Sequence, residues 1–414
     1  MEKKEIRYHI TKPIQDYSDL RLHNLSLVLR LIMSEGAISR IDLSHKTGLS
    51  ATSMTRICSS LIEAGLVREL PDSERKVGRR ALVLGVDKER FYYFCVVMDV
   101  GSCQCAIMGL NVERIAYREF YTTKEMSCGQ ILTQAKRVLE SFCEEMELDP
   151  SRISAVGVST VGGIDHGVIH YSPQFDWAHV PVRETAEQIF HLPVIVENDC
   201  KAALKGECSV RYGTTPPANV CYLALNRTGV GTATMLNGHL LRGAMNMAGE
   251  IGHSTIDLNG MLCDCGRNGC LQTFLVEKFL VRRTTKVDPK INSIIAIADA
   301  ISDGNQEICA LMEDLSQYIA VILNTMICAY NPDVIIINDA HYLNLYSNWI
   351  CSSEDWADRY IFRPMVGSVQ IKTSILRERA TMTGIACVTE DFLLQAKLRE
   401  IVRTESPARP AALG

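Results

Sequence analysis

The stretch from Ala248 to Gln272, AGEIGHSTIDLNGMLCDCGRNGCLQ, constrains this chain more than any other. It sets Cys263, Cys265 and Cys270 within eight residues, with His253 ten residues upstream. With 16 cysteines in 414 residues, chance would put about 0.3 in such a window. Three thiolates and one imidazole are the ligand set of a closed, tetrahedral structural zinc site, so His253, Cys263, Cys265 and Cys270 are expected to hold Zn2+. Gly266 and Gly269 let the backbone take positive φ and turn three sulfurs toward one point. The competing reading, ordinary core cysteines, suits a glycine-punctuated loop poorly because such a loop has little core to offer. A disulfide suits it less still, since a Cys-x-Cys pair is badly placed for an unstrained bridge.

A chain of 414 residues with 47% apolar content can form two or three domains with real cores. No apolar run reaches the length of a membrane span, and the start, MEKKEIRYHITKP, has no apolar signal core, so a soluble cytoplasmic protein without a membrane partner is expected. Residues 1–90 carry 16 Lys and Arg against 12 Asp and Glu, a net +4 in a chain of net −5. A basic head on an acidic body directs any polyanion to the head.

Residues 1–22 have no clear period and read as an arm. From His23, Leu25, Val28, Leu29, Ile32 and Met33 fall on one helical face, and Gly36 ends it. Ser39 caps a second short helix, closed by Gly48, and a third runs from Ser50 to Ala64 over Met54, Ile57, Leu61 and Ile62, stopped by Gly65. Two short helices joined by Thr47-Gly48-Leu49 make a helix-turn-helix, whose second member fits the DNA major groove. Its outward face carries Ser50, Thr52, Ser53, Thr55 and Arg56, side chains suited to phosphates and base edges. Strands at Leu66–Glu69 and Ala81–Leu84 then form a wing whose tip offers Arg75, Lys76, Arg79 and Arg80. A helical protein-contact domain is the competing reading.

The body reads as α/β. Strands at Phe91–Met98, Ala106–Leu110 and Ile115–Tyr121 precede a helix near Gln130–Met146, a strand Ile153–Ser159, a Gly162-Gly163 turn, a helix Val182–Phe190 and a strand Val194–Val196 ending in Glu197-Asn198-Asp199. A second set opens at Val220–Leu225 and breaks at Thr228–Gly231. It passes through the metal loop to helices near Thr273–Arg283, Ile291–Ile301 and Glu307–Tyr330, a strand Val334–Ile337, a short strand Val369–Ile371 and a helix near Glu378–Leu394. The tail, 403–414, is expected to be disordered. Two similar α/β lobes imply a cleft at their strand ends.

These segments resemble the ROK family (repressors, open reading frames, kinases), in particular its winged-helix transcriptional regulators. The likeness rests on AGEIGH with CxCGxxGC, on Asp99 and Gly101 at a strand end, on VENDCKAA (Val196 to Ala203), on TGVG (Thr228 to Gly231) and on the head ISRIDLSHKTGLSATSMTRICSSLIEAGLV followed by GRR. It implies an actin-like two-lobed body of the sugar kinase type behind a winged helix-turn-helix head of residues 23–90. The body would span 91–402, its smaller lobe about 91–200 plus 376–402 and its larger lobe about 201–375. It also implies sugar contacts from Asn198, Asp199, Glu250, His253 and Gln272. In the family's kinases the aspartate at position 199 would be the base that deprotonates the attacking hydroxyl. Against this, Asn198 and Asp199 also sit where a helix N-cap belongs.

Phosphoryl transfer depends on positioning and charge stabilisation, so a kinase must keep its phosphate loops intact. The family's kinases read DxGGT where this chain has Asp99-Val100-Gly101-Ser102-Cys103, and a Gly-Gly pair where it has Asn338-Asp339. Thr232-Ala233 stands where a further glycine is usual, and Gln272 replaces a glutamate. Side chains at such positions block close backbone approach to phosphate. The expectation is therefore a sugar-responsive regulator, not an enzyme, binding a DNA operator as a homodimer or homotetramer, with Asp199 a vestige. An active sugar kinase with Asp199 as base, and a zinc-dependent protein-interaction module, are the alternatives.

Overall fold

The computed structural model describes residues 17–71, 82–87, 91–213, 215–352 and 359–405. Three helices open it: α1 (Tyr17–Glu35), α2 (Arg40–Thr47) and α3 (Ala51–Glu63). The first begins six residues before the point its apolar spacing suggested, because Tyr17 to Leu22 continue the helix over the head's core, so the expected arm is shorter than 1–22. Ser39 accepts from the Asp42 N–H at 3.1 Å and starts α2, and Gly48, at φ 71°, ends it in a conformation that an L side chain resists. Ser50 caps α3 in the same way, accepting from the Ser53 N–H at 3.2 Å. The helices bury Leu25, Val28, Leu29, Ile32, Leu43, Met54, Ile57 and Leu61 together, each worth about 1.5–3 kcal/mol relative to exposure. An antiparallel pair, β1 (Val67–Pro71) and β2 (Leu82–Val86), completes a winged helix, and Ile38 bridges to Leu84 on its inner edge.

The body contains two five-stranded sheets of the same design. The first runs β10-β6-β3-β4-β5: an antiparallel meander of β3 (Tyr92–Asp99), β4 (Ser102–Gly109) and β5 (Glu113–Phe120), continued in parallel by β6 (Ile153–Thr160) and β10 (Val194–Asn198). Helices α4 (Cys128–Glu145) and α5 (Val182–Phe190) cover one face. The second sheet repeats the plan. A meander of β11 (Val220–Leu225), β12 (Val230–Leu236) and β13 (His239–Leu240) is continued in parallel by β14 (Val334–Asn338) and β15 (Gln370–Thr373). Its apolar face packs on α7 (Glu277–Val287), α8 (Ile294–Ser302) and α9 (Gln306–Tyr330), with α10 (Leu345–Ser352) beyond. A three-stranded ribbon, β7 (Gly163–Asp165), β8 (Val168–Ser172) and β9 (Trp177–Val180), has no clear alternation in the sequence and was not foreseen.

Two long helices stand between the sheets: α6 (Asp199–Tyr212) and the C-terminal α11 (Ala380–Glu405). They cross at Gly206 and Gly384, where a Cβ on Gly384 would collide with the Ala202 carbonyl. The end of α11 overran expectation. It continues through Glu405, inside the presumed tail, because Leu394, Leu398 and Ile401 are buried in the head's core beside Leu25 and Val28. The body's last helix thus belongs to the head as well. Another expected helix, near Thr273–Arg283, begins only at Glu277 after a 3-10 turn at Leu271–Phe274.

Candidate functional site

The carboxyl ends of β6, β10 and β11 open onto one cleft of about 240 Å³, walled by Gly162, Asn198, Asp199, Gly229, Glu250 and His253. Ligands of open α/β sheets lie at such strand ends. Asn198 closes β10 and caps α6: its Oδ1 accepts from the Cys200 and Lys201 N–H groups at 3.0 and 3.2 Å. Its Nδ2 donates to the Gly162 carbonyl at 3.1 Å and to Asp199 Oδ1 at 2.9 Å. All four capacities of the amide are in use, so Asn198 orients its neighbour and keeps no free group for a ligand.

Asp199 lines the cleft half-buried, and burial, reinforced by the nearby charges of Asp99 and Glu250, pushes its carboxyl up to about 7. Asp99, at the end of β3, is raised to about 6 by burial, against the Val100 N–H and the Arg227 guanidinium, which favour its ionised form. A carboxyl with a raised value in the cleft wall, with a second one nearby, suits hydroxyls better than anions.

The AGEIGH turn is fastened to β12. Thr232 Oγ1 donates to the Gly249 carbonyl at 2.8 Å, and the backbones of Gly249 and Gly252 lie so close to Thr232 and Val230 that no Cβ fits. This brings exposed Glu250 and half-buried His253 to the far wall. His253 Nδ1 stands 3.8 Å from Cys263 Sγ, Cys265 Sγ stands 3.5 Å from Cys270 Sγ, and all four ligand atoms lie within 4.8 Å of one another. A tetrahedral ion with metal–sulfur bonds of about 2.3 Å requires sulfurs about 3.8 Å apart, so these four residues could hold a metal ion. Gly269, at φ 68°, presses its backbone on the Asp257 carbonyl and turns Cys270 inward. None of the three cysteines is in a disulfide. Gln272 is buried; its Nε2 donates to Cys263 Sγ at 3.2 Å and its Oε1 lies toward Gly229, so its amide serves the cluster first.

Sequence reasoning missed a polar network behind the cleft. Glu197, 2% exposed, receives both guanidinium nitrogens of Arg242, at 2.6 and 3.3 Å. Arg242 also donates to Asn246 Oδ1 at 3.0 Å, Asn246 Nδ2 to the Ile164 carbonyl at 2.6 Å, and Lys201 Nζ to the Asn246 carbonyl at 2.6 Å. Arg242 and Asn246 lie on a loop with no motif, so no spacing marked them. Gln174, Tyr171 and Met247 line the cleft and were missed for the same reason.

On the head, Ser50, Thr52, Ser53, Thr55 and Arg56 are all exposed along α3. Ser50 and Thr55 already bond within the helix, to Ser53 and to the Ala51 carbonyl, leaving Thr52 and Arg56 as the more available groups. Arg75, Lys76, Arg79 and Arg80 lie outside the described residues.

Comparison with known proteins agrees with this geometry. The ROK family's sequence model matches residues 93–391, and that of a winged helix-turn-helix DNA-binding domain matches residues 23–68. The xylose repressor of Bacillus subtilis (strain 168) is 24% identical over 385 residues, 92% of this chain and 98% of its own. The DNA-binding transcriptional repressor Mlc of Escherichia coli (strain K12) is 26% identical over 330 residues, 76% of this chain and 80% of its own. Among solved structures, a ROK family transcriptional regulator described as a homolog of Escherichia coli Mlc superposes with a TM-score of 0.76 at 24% identity, covering 92% of this chain and 99% of its own. A ROK family glucokinase from Streptomyces griseus, in complex with glucose and AMPPNP, superposes with a TM-score of 0.58 at 20% identity, covering 72% of this chain and 98% of its own.

Proposed function

The chain belongs to the ROK family, and from that premise we propose that it is a sugar-responsive transcriptional repressor. Its head, residues 23–90, reads a DNA operator, and its body, residues 91–402, holds a sugar in the cleft. The observation that carries this reading is the joining of an exposed recognition helix to a hydroxyl-binding cleft through one shared core, that of α1 and α11. Asp199, Glu250 and the Nε2 side of His253 contact the sugar, with Asn198 and Gln272 holding them in place. Thr52 and Arg56 contact DNA and Ser50, Ser53 and Thr55 flank them, while Arg79 and Arg80, outside the described residues, remain DNA contacts proposed from the sequence. The protein acts as a homodimer or higher, since symmetric operators need paired heads. The relatives named as xylose repressor and Mlc support the same reading.

Zn2+ is the ion proposed for His253, Cys263, Cys265 and Cys270: thiolate-rich tetrahedral sites select it. These four residues would hold it as a structural brace for the loop that carries Glu250, leaving the second imidazole nitrogen of His253 as the one that could meet the sugar.

The kinase reading loses ground at the nucleotide side. Asn338 donates to Tyr222 Oη at 2.8 Å and to the Arg377 carbonyl at 3.0 Å, where the family's kinases have glycine. Asp339 is buried and receives the Ser347 N–H at 2.7 Å. The test is a thermal-shift panel of D-xylose, D-glucose and N-acetylglucosamine, with ATP turnover read in parallel. One sugar should stabilise the protein, by about 2.7 kcal/mol at a hundred times its dissociation constant, without turnover. Turnover abolished by Asp199→Asn would establish the kinase instead.

A further inference from the structure

We infer that Asp391 is the residue through which the state of the cleft reaches the DNA-reading head, its two carboxylate oxygens being divided between a cation of the body and a cation of the head. The inference rests on the sensor reading above.

Helix α6 begins at the cleft with Asp199 and carries Lys205 about 9 Å further along its axis. Lys205 Nζ lies 3.1 Å from Asp391 Oδ2, while the guanidinium of Arg30, on α1 of the head, lies 3.0 Å from Asp391 Oδ1. Although burial opposes it, Lys205 and Arg30 hold the Asp391 carboxyl below the usual carboxylate range, and Asp391 in turn raises Lys205. The joint is therefore ionised on both sides.

Its surroundings are stiff. α6 and α11 touch backbone to backbone at Gly206 and Gly384, so a displacement of α6 is felt by α11 directly. Glu390, 6% exposed, receives the backbone N–H groups of Asn111 and Val112. Both hold positive φ, 64° and 56°, which for β-branched Val112 persists only where the surroundings enforce it. Leu110, beside that turn, is in the head's core with Leu394 and Leu398. One turn of α11 thus grips the sheet edge with Glu390, the cleft helix with one oxygen of Asp391 and the head with the other.

A ligand shifts an arrangement only through contacts that differ between its states. A sugar drawing Asp199 toward Glu250 moves α6 with it. A carboxylate spanning two cations cannot keep both when one moves, so the pose of α1 follows.

The experiment measures the affinity of the full-length protein for a duplex selected by that protein from a randomised pool, with and without the sugar identified by the panel. Wild type should show a ratio between about 5 and 150, and Asp391→Asn should bring that ratio within about twofold of unity, while sugar affinity without DNA and DNA affinity without sugar each stay close to wild type. Arg30→Met and Lys205→Met, which keep the apolar stems, should each reproduce the loss, and their combination should lose no more than either alone. Arg30 is 39% exposed at its side chain, so Arg30→Met serves if Asp391→Asn folds poorly. Variants that weaken both affinities yet keep the ratio would overturn the inference and leave the sensor reading standing. A wild type whose DNA affinity ignores every sugar would overturn both.

Discussion

The Nε2 of Gln272 lies 3.2 Å from the sulfur of Cys263, so a residue that lines the cleft also touches the candidate metal cluster. Outer groups of this kind orient first ligands, and their loss costs about 10- to 100-fold in metal affinity. Gln272→Ala should show a loss in that range by competition with a chromogenic chelator. Unchanged affinity would place the amide back in the sugar's service.

Cys265→Ser should remove one of four ligands, and with it the ion and the sugar response, because the loop bearing Glu250 and His253 is shaped around the cluster. Elemental analysis and sugar-induced thermal shift check it together. No residue of the cluster belongs to the core that the head shares with α11, so binding to DNA should survive.

Burial raises the carboxyl of Asp199 to about 7 from an ordinary value of 3.8. Between these values the folded protein holds a proton that the unfolded chain has lost, so stability falls as pH rises through that window. Asp199→Asn should therefore gain thermal stability over wild type at pH 8 and lose the advantage near pH 4.5. A difference independent of pH would show that the carboxyl titrates normally.

Arg56→Ala should weaken DNA binding and leave the melting temperature unchanged, since Arg56 is exposed on α3. If it meets a phosphate, the salt slope of binding should fall by about 1; if it meets a base, discrimination at one position should relax by about 1–3 kcal/mol. Competition binding across salt concentrations separates the two.

Gly384→Ala should destabilise the protein by about 1–3 kcal/mol, an overpacking cost, because its Cβ would meet the Ala202 carbonyl. Denaturant unfolding measures it.

Local chemistry made much of this legible in the sequence. Ser39, Gly48 and Ser50 mark helix ends through their own side chains or φ, and the Cys-x-Cys-Gly spacing places ligands within a few residues of one another. What stayed hidden depends on distant partners. The ion pair of Glu197 with Arg242 joins a strand end to a loop 45 residues on, and no period relates them. The reach of α11 into the head could not be read either, because its apolar residues serve two cores and so follow no single face. Asn198 satisfied both of its readings in part: it is the N-cap and it lines the cleft, but the cap uses up its amide.

The most direct test of a cleft that governs a DNA reader is fluorescence anisotropy of the selected duplex, titrated with protein in the presence and absence of the stabilising sugar. The account predicts a shift of at least about fivefold in dissociation constant, lost in Asp199→Asn. Superimposable curves with every sugar tried would contradict it.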